Sequence, residues 1–321
     1  MNRLLPYIKI ARFDHWIKQL FVLPGAFFAY FLINPSGDDM SVIVFRALLG
    51  FAATCITASA NYIINEWLDA GYDAFHPQKK ERPLVTADIN KYIIMAEYAV
   101  FLIAGLSLAF IASKIIFIFE AALLVMGVVY NVPPMRTKEI PILDVLTESI
   151  NNALRFLIGW FMITAVHSPP VSIVFGYWMG GAFLMAAKRL AEYRMIDDAV
   201  AAGRYRKSFK YYNEKRLLLC CFFYAMMSLF FCGIFLIKYK VELIFAIPVL
   251  CGLFCIYLNI SYREDSSAQK PEKPYREKPL MFYTLFLIVI VLVLMNVRIP
   301  FMEHFEQHFL NAPAIGGFLE S

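Results

Sequence analysis

The chain has 321 residues, of which 60% are hydrophobic and 17% are charged, and its formal net charge is +5. Soluble globular domains are about 45–50% apolar and about 25% charged, so this chain has more apolar side chains than a soluble fold would bury. The composition excludes a disordered chain, a collagen-like chain and a small disulfide scaffold, and it indicates an integral membrane protein.

Nine apolar runs are long enough to cross a bilayer, because a hydrocarbon core about 30 Å thick needs about 20 helical residues. They lie at residues 17–33, 43–64, 92–112, 115–131, 141–165, 171–188, 216–237, 241–260 and 280–299. We therefore predict an all-α integral membrane bundle of nine transmembrane helices. An N-terminal segment (residues 1–16) precedes this domain (17–299), and a tail (300–321) follows it.

Most of the 30 Lys and Arg residues lie in the N-terminal segment and in the loops after the even-numbered runs. Loops rich in Lys and Arg face the cytoplasm. This distribution predicts a protein of the cell inner (plasma) membrane with a cytoplasmic N-terminus, a non-cytoplasmic tail and an active site facing the cytoplasm. The positive net charge reflects the same bias and does not indicate a nucleic-acid partner, because no soluble basic domain is expected.

The second apolar run ends in polar residues. Asn65, Asp69 and Asp73 are spaced by four and share one helix face, and Glu66 joins that face three residues before Asp69. Carboxylates this close repel each other unless a cation neutralises them, and hard oxygen ligands suit Mg²⁺. We expect these four residues to hold Mg²⁺ on a diphosphate. A solvated helix end is the alternative.

Basic residues follow the acidic cluster and also precede the fifth run. Lys79 and Arg82 lie in a loop between two prolines, and Arg136 and Lys138 lie with Tyr130 in a short loop at the same end of the bundle. Magnesium on one side and Lys or Arg on the other is a common arrangement around phosphates. We therefore predict that these Lys and Arg residues bind substrate phosphates.

The fifth run carries a polar stripe. Asp144, Glu148 and Asn152 recur every four residues, and Asn151 and Arg155 form a second pair at that interval. These groups are costly in hydrocarbon, so the stripe should face a water-filled cavity or the bundle interior. We interpret it as a substrate-binding face. The alternative is a structural network in which Glu148 and Arg155 satisfy each other.

The sixth run ends in Lys188, Arg189 and Glu192, and a strongly basic segment follows it. Lys188 and Glu192 share a helix face. A cationic balance here suits a donor with more phosphate than one diphosphate. A plain cytoplasmic loop would also be basic, so that alternative stays open.

Residues 65–83 resemble the first motif of the UbiA superfamily of membrane prenyltransferases, N-D-x-x-D-x-x-x-D followed by R-P, with Glu66 at the second position. Residues 16–24, 130–138 and 143–159 are also similar to that family, as is the number of apolar runs. The resemblance covers roughly residues 10–295. It implies a UbiA-like helical bundle around a lipid-accessible cavity and a Mg²⁺-dependent transferase.

Two features resemble the polyprenyl-phosphate phosphoribosyltransferases within this superfamily. One is H-P-x-K-x-x-R-P at residues 76–83, and the other is residues 188–192, where aromatic prenyltransferases typically have K-D-x-x-D. This resemblance implies transfer of a 5-phosphoribosyl group from phosphoribosyl pyrophosphate to a polyprenyl phosphate, with Tyr130 and Glu192 near the ribose hydroxyls. The partners would then be phosphoribosyl pyrophosphate, a lipid phosphate or prenyl diphosphate, and membrane lipids.

The residues expected to act in catalysis are Asn65, Asp69, Asp73, Lys188 and Glu192. Those expected to bind substrate are Lys79, Arg82, Tyr130, Arg136, Lys138, Asp144, Glu148, Asn152, Arg155 and Arg189. An alternative function is transfer of a prenyl diphosphate's chain to a polar acceptor of the 4-hydroxybenzoate type. A transporter or a non-catalytic membrane protein is a third alternative.

Overall fold

The computed structural model describes residues 5–35, 39–75, 79–86, 89–196, 198–263, 268, 277–300 and 302. All regular elements of this part of the chain are helical, which confirms the predicted fold class. The α-helices are α1 (Leu5–Ile10), α2 (Leu23–Ile33), α3 (Met40–Asp73), α4 (Pro83–Thr86), α5 (Lys91–Ala112), α6 (Lys114–Asn131), α7 (Leu143–Ile163), α8 (Val171–Ile196), α9 (Ala199–Tyr205), α10 (Glu214–Tyr239), α11 (Ile247–Ser261) and α12 (Lys278–Asn296). The 3-10 segments are Phe13–Val22, Lys79–Glu81, Thr137–Glu139, Lys207–Lys210 and Val241–Ala246.

Eight helical stretches of the described chain are long and apolar enough to cross a membrane, so the chain is a multi-pass membrane protein. They are Pro6–Ile33, Met40–Asp73, Lys91–Ala112, Lys114–Asn131, Val171–Ile196, Glu214–Tyr239, Val241–Ser261 and Lys278–Asn296. The remaining predicted span is α7, which has 21 residues but carries the polar stripe. α7 contacts α2, α3, α6 and α8, so these polar groups are surrounded by protein.

Two glycines bring the backbones of α7 and the N-terminal helical stretch together. A Cβ added at Gly25 would lie 1.9 Å from the carbonyl oxygen of Phe156, and one at Gly159 would lie 1.8 Å from that of Val22. Small residues that allow close backbone approach are typical of helix contacts in membranes. The contact places the 3-10 segment Phe13–Val22 against the polar stripe of α7.

α3 is longer than a bilayer requires. Its 34 residues span about 51 Å at 1.5 Å per residue, whereas the hydrocarbon core is about 30 Å thick. The last nine residues of α3, 65–73, contain the first acidic motif. α8 has 26 residues, and residues 188–192 near its end are called the second motif. The two helices thus bring both polar motifs to one end of the bundle.

Short helical segments fold over this end. α4 packs on α1 and α3, and α9 packs on α8 and α3. The side chain of Asp198 begins α9 by accepting hydrogen bonds from the backbone N–H groups of Val200 and Ala201. His76 and residues 303–321 of the predicted tail lie outside the described residues.

Candidate functional site

A cavity of about 800 Å³ lies at the end of the bundle where the two motifs meet. The predicted site residues that line it are Asn65, Glu66, Asp69, Asp73, Lys79, Arg82, Tyr130, Glu148, Asn152, Arg155, Lys188 and Glu192. The predicted residues outside that lining are Arg136, Lys138, Asp144 and Arg189, all of which are buried. The structure therefore brings the motifs together and places these four side chains in the wall behind the lining.

Basic side chains contact two of the carboxylates on α3. Asp69 accepts hydrogen bonds through Oδ1 from Arg136, at 2.9 Å, and from Lys138. Asp73 accepts one through Oδ2 from Arg82 at 2.7 Å. Burial lowers the pKa of Lys138 to about 8, and Asp69 opposes that shift. Lys and Arg thus neutralise part of the negative charge of these two carboxylates.

The cavity lining contains oxygen atoms that could bind the predicted Mg²⁺. In the described part of the chain, no three His, Cys, Asp or Glu side chains form a group that could hold a metal ion. Oε1 of Glu66 is nevertheless buried without a hydrogen-bond partner among the described residues, and the Glu66 side chain lines the cavity. Mg²⁺ keeps several waters and takes further oxygens from substrate phosphates. The oxygen donors fit Mg²⁺ bound together with a diphosphate, whereas the expected cluster of converging carboxylates is absent from the described residues.

The loop after α3 is tied to α8 by charge. Lys79 donates a hydrogen bond to Oε1 of Glu192 at 3.0 Å, and Arg189 donates to Oε2 at 2.8 Å. Burial alone would lower the pKa of Lys79, but Glu192 and Tyr205 beside it raise that pKa above its ordinary value. Lys79 is therefore a charged side chain in the cavity wall at neutral pH.

Glu148 of α7 is the centre of a second group of contacts. It accepts hydrogen bonds from Lys188 at 3.1 Å, from the hydroxyl of Tyr130 at 2.7 Å and from Arg189. Glu148 forms no hydrogen bond or salt bridge with Arg155, so the expected structural pair of these two side chains is absent among the described residues. Glu148 instead connects α7 to α6 and α8.

The wall behind this group is fully buried. Arg189 and Asp144 are both 0% exposed, and Nε of Arg189 lies 3.4 Å from Oδ2 of Asp144. Asp144 also accepts hydrogen bonds from the hydroxyl groups of Tyr212, at 2.7 Å, and Ser208, at 3.2 Å. These contacts fix the segment after α9 against α7, so Asp144 acts on the cavity through its neighbours.

Several basic side chains in the lining were not among the predicted site residues. Arg12, His15 and Lys18 line the cavity from the N-terminal stretch, where the sequence predicted only a cytoplasmic segment rich in Lys and Arg. Their spacing of three residues places them on one helical face, and this pattern in the sequence could have identified them as site residues. Arg206 also lines the cavity and donates a hydrogen bond to the hydroxyl of Tyr130 at 3.2 Å.

The inner end of the cavity is also polar. Nε of Arg155 donates a hydrogen bond to the side-chain oxygen of Gln19 at 2.7 Å, and Nη1 donates to that of Asn152 at 3.4 Å. Gln19 is 0% exposed and belongs to the 3-10 segment that the glycine contact holds against α7. The polar stripe therefore extends the site inward from the acidic motif.

Comparison with known proteins finds a family match over most of the chain. Residues 22–295 match the UbiA prenyltransferase family. The chain is 27% identical over 210 residues to the decaprenyl-phosphate phosphoribosyltransferase of Mycolicibacterium smegmatis, a match covering 65% of this chain and 63% of that protein. The chain thus spans less than two thirds of the length of that relative. It is 25% identical over 218 residues to nodulation protein NoeC of Azorhizobium caulinodans, covering 68% and 67% of the two chains.

Solved structures have the same fold. A UbiA homolog from Archaeoglobus fulgidus bound to GPP and Mg²⁺ superposes with a TM-score of 0.66 at 22% sequence identity. The match covers 91% of this chain and 100% of that one. The same homolog bound to DMAPP and Mg²⁺ also gives 0.66, at 21% identity.

Proposed function

Because the chain belongs to the UbiA prenyltransferase family, we propose that it is a Mg²⁺-dependent transferase that moves a 5-phosphoribosyl group from phosphoribosyl pyrophosphate to a polyprenyl phosphate. The observation that carries this proposal is the shared lining of the cavity. Asp69 and Asp73 face the same space as Lys79, Lys188 and Arg206. A donor with a diphosphate at one end and a separate phosphate at the other suits such a lining.

In the proposed reaction, an anionic phosphate oxygen of the lipid attacks C1 of the ribose. The bond between C1 and the diphosphate oxygen breaks, its electron pair leaves with inorganic diphosphate, and no proton is transferred. Bound Mg²⁺ would stabilise the charge that develops on the leaving diphosphate. The chain's own contribution would be positioning and charge neutralisation, because a phosphate nucleophile needs no strong base.

The proposed roles follow the placement of the side chains. Asn65, Glu66, Asp69 and Asp73 would hold the Mg²⁺ diphosphate at the end of α3. The phosphate-binding side chains would be Lys79, Arg82, Lys188 and Arg206. The side chains that orient this lining from behind would be Arg136, Lys138, Asp144 and Arg189.

Prenyl transfer to a polar or aromatic acceptor is the second candidate, and an apolar part of the lining favours it. Phe13, Phe21, Leu184 and Met185 line the cavity beside the polar groups and could contact an isoprenoid chain. The UbiA homolog from Archaeoglobus fulgidus was solved with GPP and Mg²⁺. In this reaction the Mg²⁺ site would bind the lipid diphosphate itself.

The experiment that separates the two functions supplies both donors to purified protein in detergent with Mg²⁺. One reaction contains labelled phosphoribosyl pyrophosphate and a short polyprenyl phosphate, and the other contains a labelled prenyl diphosphate and 4-hydroxybenzoate. We expect label from the first donor to enter the lipid phase. Product from the second donor alone would identify an aromatic prenyltransferase and overturn the proposal.

A matched pair of variants tests the role of the acidic motif. Asp69→Asn should abolish turnover while the protein stays folded, because the amide cannot supply the charge that Mg²⁺ requires. Asp39→Asn is the control, since Asp39 caps the opposite end of α3 and Asn caps a helix as well as Asp does. Full activity in Asp69→Asn would rule out the proposed metal role.

We also propose that the chain lies in the cell inner (plasma) membrane with the cavity facing the cytoplasm. The basic loops that flank the cavity support this orientation. Alkaline phosphatase fused after Asn296 should be active, since that end would lie outside the cytoplasm. An inactive fusion of normal abundance would contradict the orientation.

A further inference from the structure

We propose that the inner end of the cavity, built around Arg155, is a second phosphate site that binds a phosphate monoester while the diphosphate lies at Asp69 and Asp73. This inference rests on the proposed function and assigns the second phosphate of that reaction to named residues. Arg155 is seven residues beyond Glu148 on α7, which places it about 10 Å further into the bundle at 1.5 Å per residue. The two phosphate positions would thus be separated along the cavity.

The charge of Arg155 is not paired by direct contact with a carboxylate, although Glu120 interacts with it electrostatically. Its hydrogen-bond acceptors are the amide oxygens of Gln19 and Asn152, and no described carboxylate forms a salt bridge with it. Glu120, a carboxylate on the adjacent helix α6, is 0% exposed and accepts its hydrogen bonds from Thr54 and Thr57. An arginine at this depth without a carboxylate partner indicates a site for an anion.

Unpartnered amide atoms are a second, independent indication. Nε2 of Gln19, Oδ1 of Asn61 and Oδ1 of Asn151 are buried and have no hydrogen-bond partner among the described residues. Asn61 and Asn151 line the cavity, and Gln19 holds Arg155 in place. Buried polar groups in proteins are almost always hydrogen-bonded. The cavity therefore presents the N–H donors of Arg155 for a phosphate, and the acceptor oxygens of Asn61 and Asn151 for hydroxyl groups carried by the same ligand.

Two glycines make room for the amide side chains of Asn61 and Asn152. A Cβ added at Gly127 would lie 1.9 Å from Oδ1 of Asn61, and one at Gly181 would lie 2.5 Å from Nδ2 of Asn152. Asn61 is also fixed by a hydrogen bond from its Nδ2 to the backbone carbonyl of Leu123 at 3.0 Å. The absence of a side chain at these positions of α6 and α8 leaves space for the two amides.

Two groups in the proposed reaction have the required chemistry, namely the 5-phosphate of the donor and the phosphate of the lipid acceptor. Both would accept hydrogen bonds from Arg155. The amide oxygens of Asn61 and Asn151 could also accept from ribose hydroxyls. A prenyl chain extending inward from the diphosphate would instead place hydrocarbon against these amides and leave them unsatisfied.

The test measures the KM for each substrate separately in wild type and in Arg155→Gln. Loss of a charge-assisted hydrogen bond should raise one KM roughly 10- to 100-fold. A change confined to phosphoribosyl pyrophosphate assigns the 5-phosphate to this site, and a change confined to the polyprenyl phosphate assigns the lipid phosphate. Arg46→Gln is the matched control, because Arg46 lies on α3 outside the cavity lining. Unchanged KM values in an active Arg155→Gln would overturn the inference and leave the proposed function intact.

A second variant covers the possibility that Arg155→Gln does not fold. Asn151→Ala removes an amide whose oxygen has no partner among the described residues, so it should fold normally. It should raise the KM for phosphoribosyl pyrophosphate, because the ribose hydroxyls can donate to that oxygen. A normally folded Asn151→Ala with both KM values unchanged would count against the site.

A binding measurement tests the site even if wild type transfers no phosphoribosyl group. Ribose 5-phosphate, a phosphate monoester, should raise the thermal unfolding midpoint of wild type and of Arg46→Gln, but not that of Arg155→Gln or Asn151→Ala. Absence of a shift in wild type, or equal shifts in all four proteins, would overturn the inference. Failure of the proposed function would appear separately, as wild type that transfers no label.

Discussion

Replacing Arg189 by methionine should destabilise the protein strongly, because it removes the buried cation that links three carboxylates. Arg189 is 0% exposed and contacts Glu192 at 2.8 Å, Asp144 at 3.4 Å, and Glu148. Asp144 and Glu192 are 0% and 1% exposed, so they would keep their charge away from water after the loss. Removing one partner of a buried ion pair costs about 3–5 kcal/mol, and we expect the free energy of unfolding to fall by that amount.

Arg194→Met is the matched control on the same helix. Arg194 pairs with Glu214, but the two side chains are 38% and 47% exposed, so their pairing should contribute no more than about 1 kcal/mol. Both variants can be compared with wild type by unfolding in mixed detergent micelles, with tryptophan fluorescence as the signal. Equal losses in Arg189→Met and Arg194→Met would refute the claim that burial makes the Arg189 contacts strong.

Other substitutions test the packing that positions the site. Gly159→Ala should lower the free energy of unfolding by about 1–3 kcal/mol, because the new methyl group would clash with the carbonyl of Val22. Gly233→Ala is the control and should leave the free energy of unfolding unchanged, because its new methyl group would meet no atom within 4 Å. Thermal melts followed by circular dichroism would distinguish the two variants. Thr57→Val should lower the free energy of unfolding by about 1–3 kcal/mol in the same assay, because Glu120 loses a hydrogen-bond donor. An unchanged melt would show that this hydrogen bond is not needed for stability. Chelation of divalent cations should abolish label transfer and added Mg²⁺ should restore it, whereas transfer in excess chelator would contradict metal dependence.

The sequence was most informative where helical spacing and polarity coincide. The four-residue spacing from Asn65 to Asp73 placed these side chains on one face of α3, and the structure puts them on one cavity. The polar stripe of α7 was likewise expected to face the bundle interior. In both cases, charged groups at the boundary of or within an apolar run have few stable positions other than a cavity or the protein interior.

The sequence was less informative about whether a side chain lines the cavity or lies buried behind the lining. Helical periodicity gives the angle between two side chains, but not which neighbouring helix or loop packs against them. Arg189 was therefore predicted to bind substrate, although it lies in the wall behind the lining. Arg12 and Arg206 were missed for a related reason, because basic residues near a membrane surface are common whether or not they contact a ligand.

Two carboxylates of the cavity already pair with cations that are proposed to bind substrate phosphates, Glu148 with Lys188 and Glu192 with Lys79. Among the described residues that line it, eight are Lys or Arg and seven are Asp or Glu. A phosphorylated donor must therefore displace internal anions such as Glu148 and Glu192 from their cations. Binding would then be an exchange of one anion for another, and it would require these internal ion pairs to open. Added salt, which competes mainly for exposed charges, should affect such binding less than the number of basic side chains suggests.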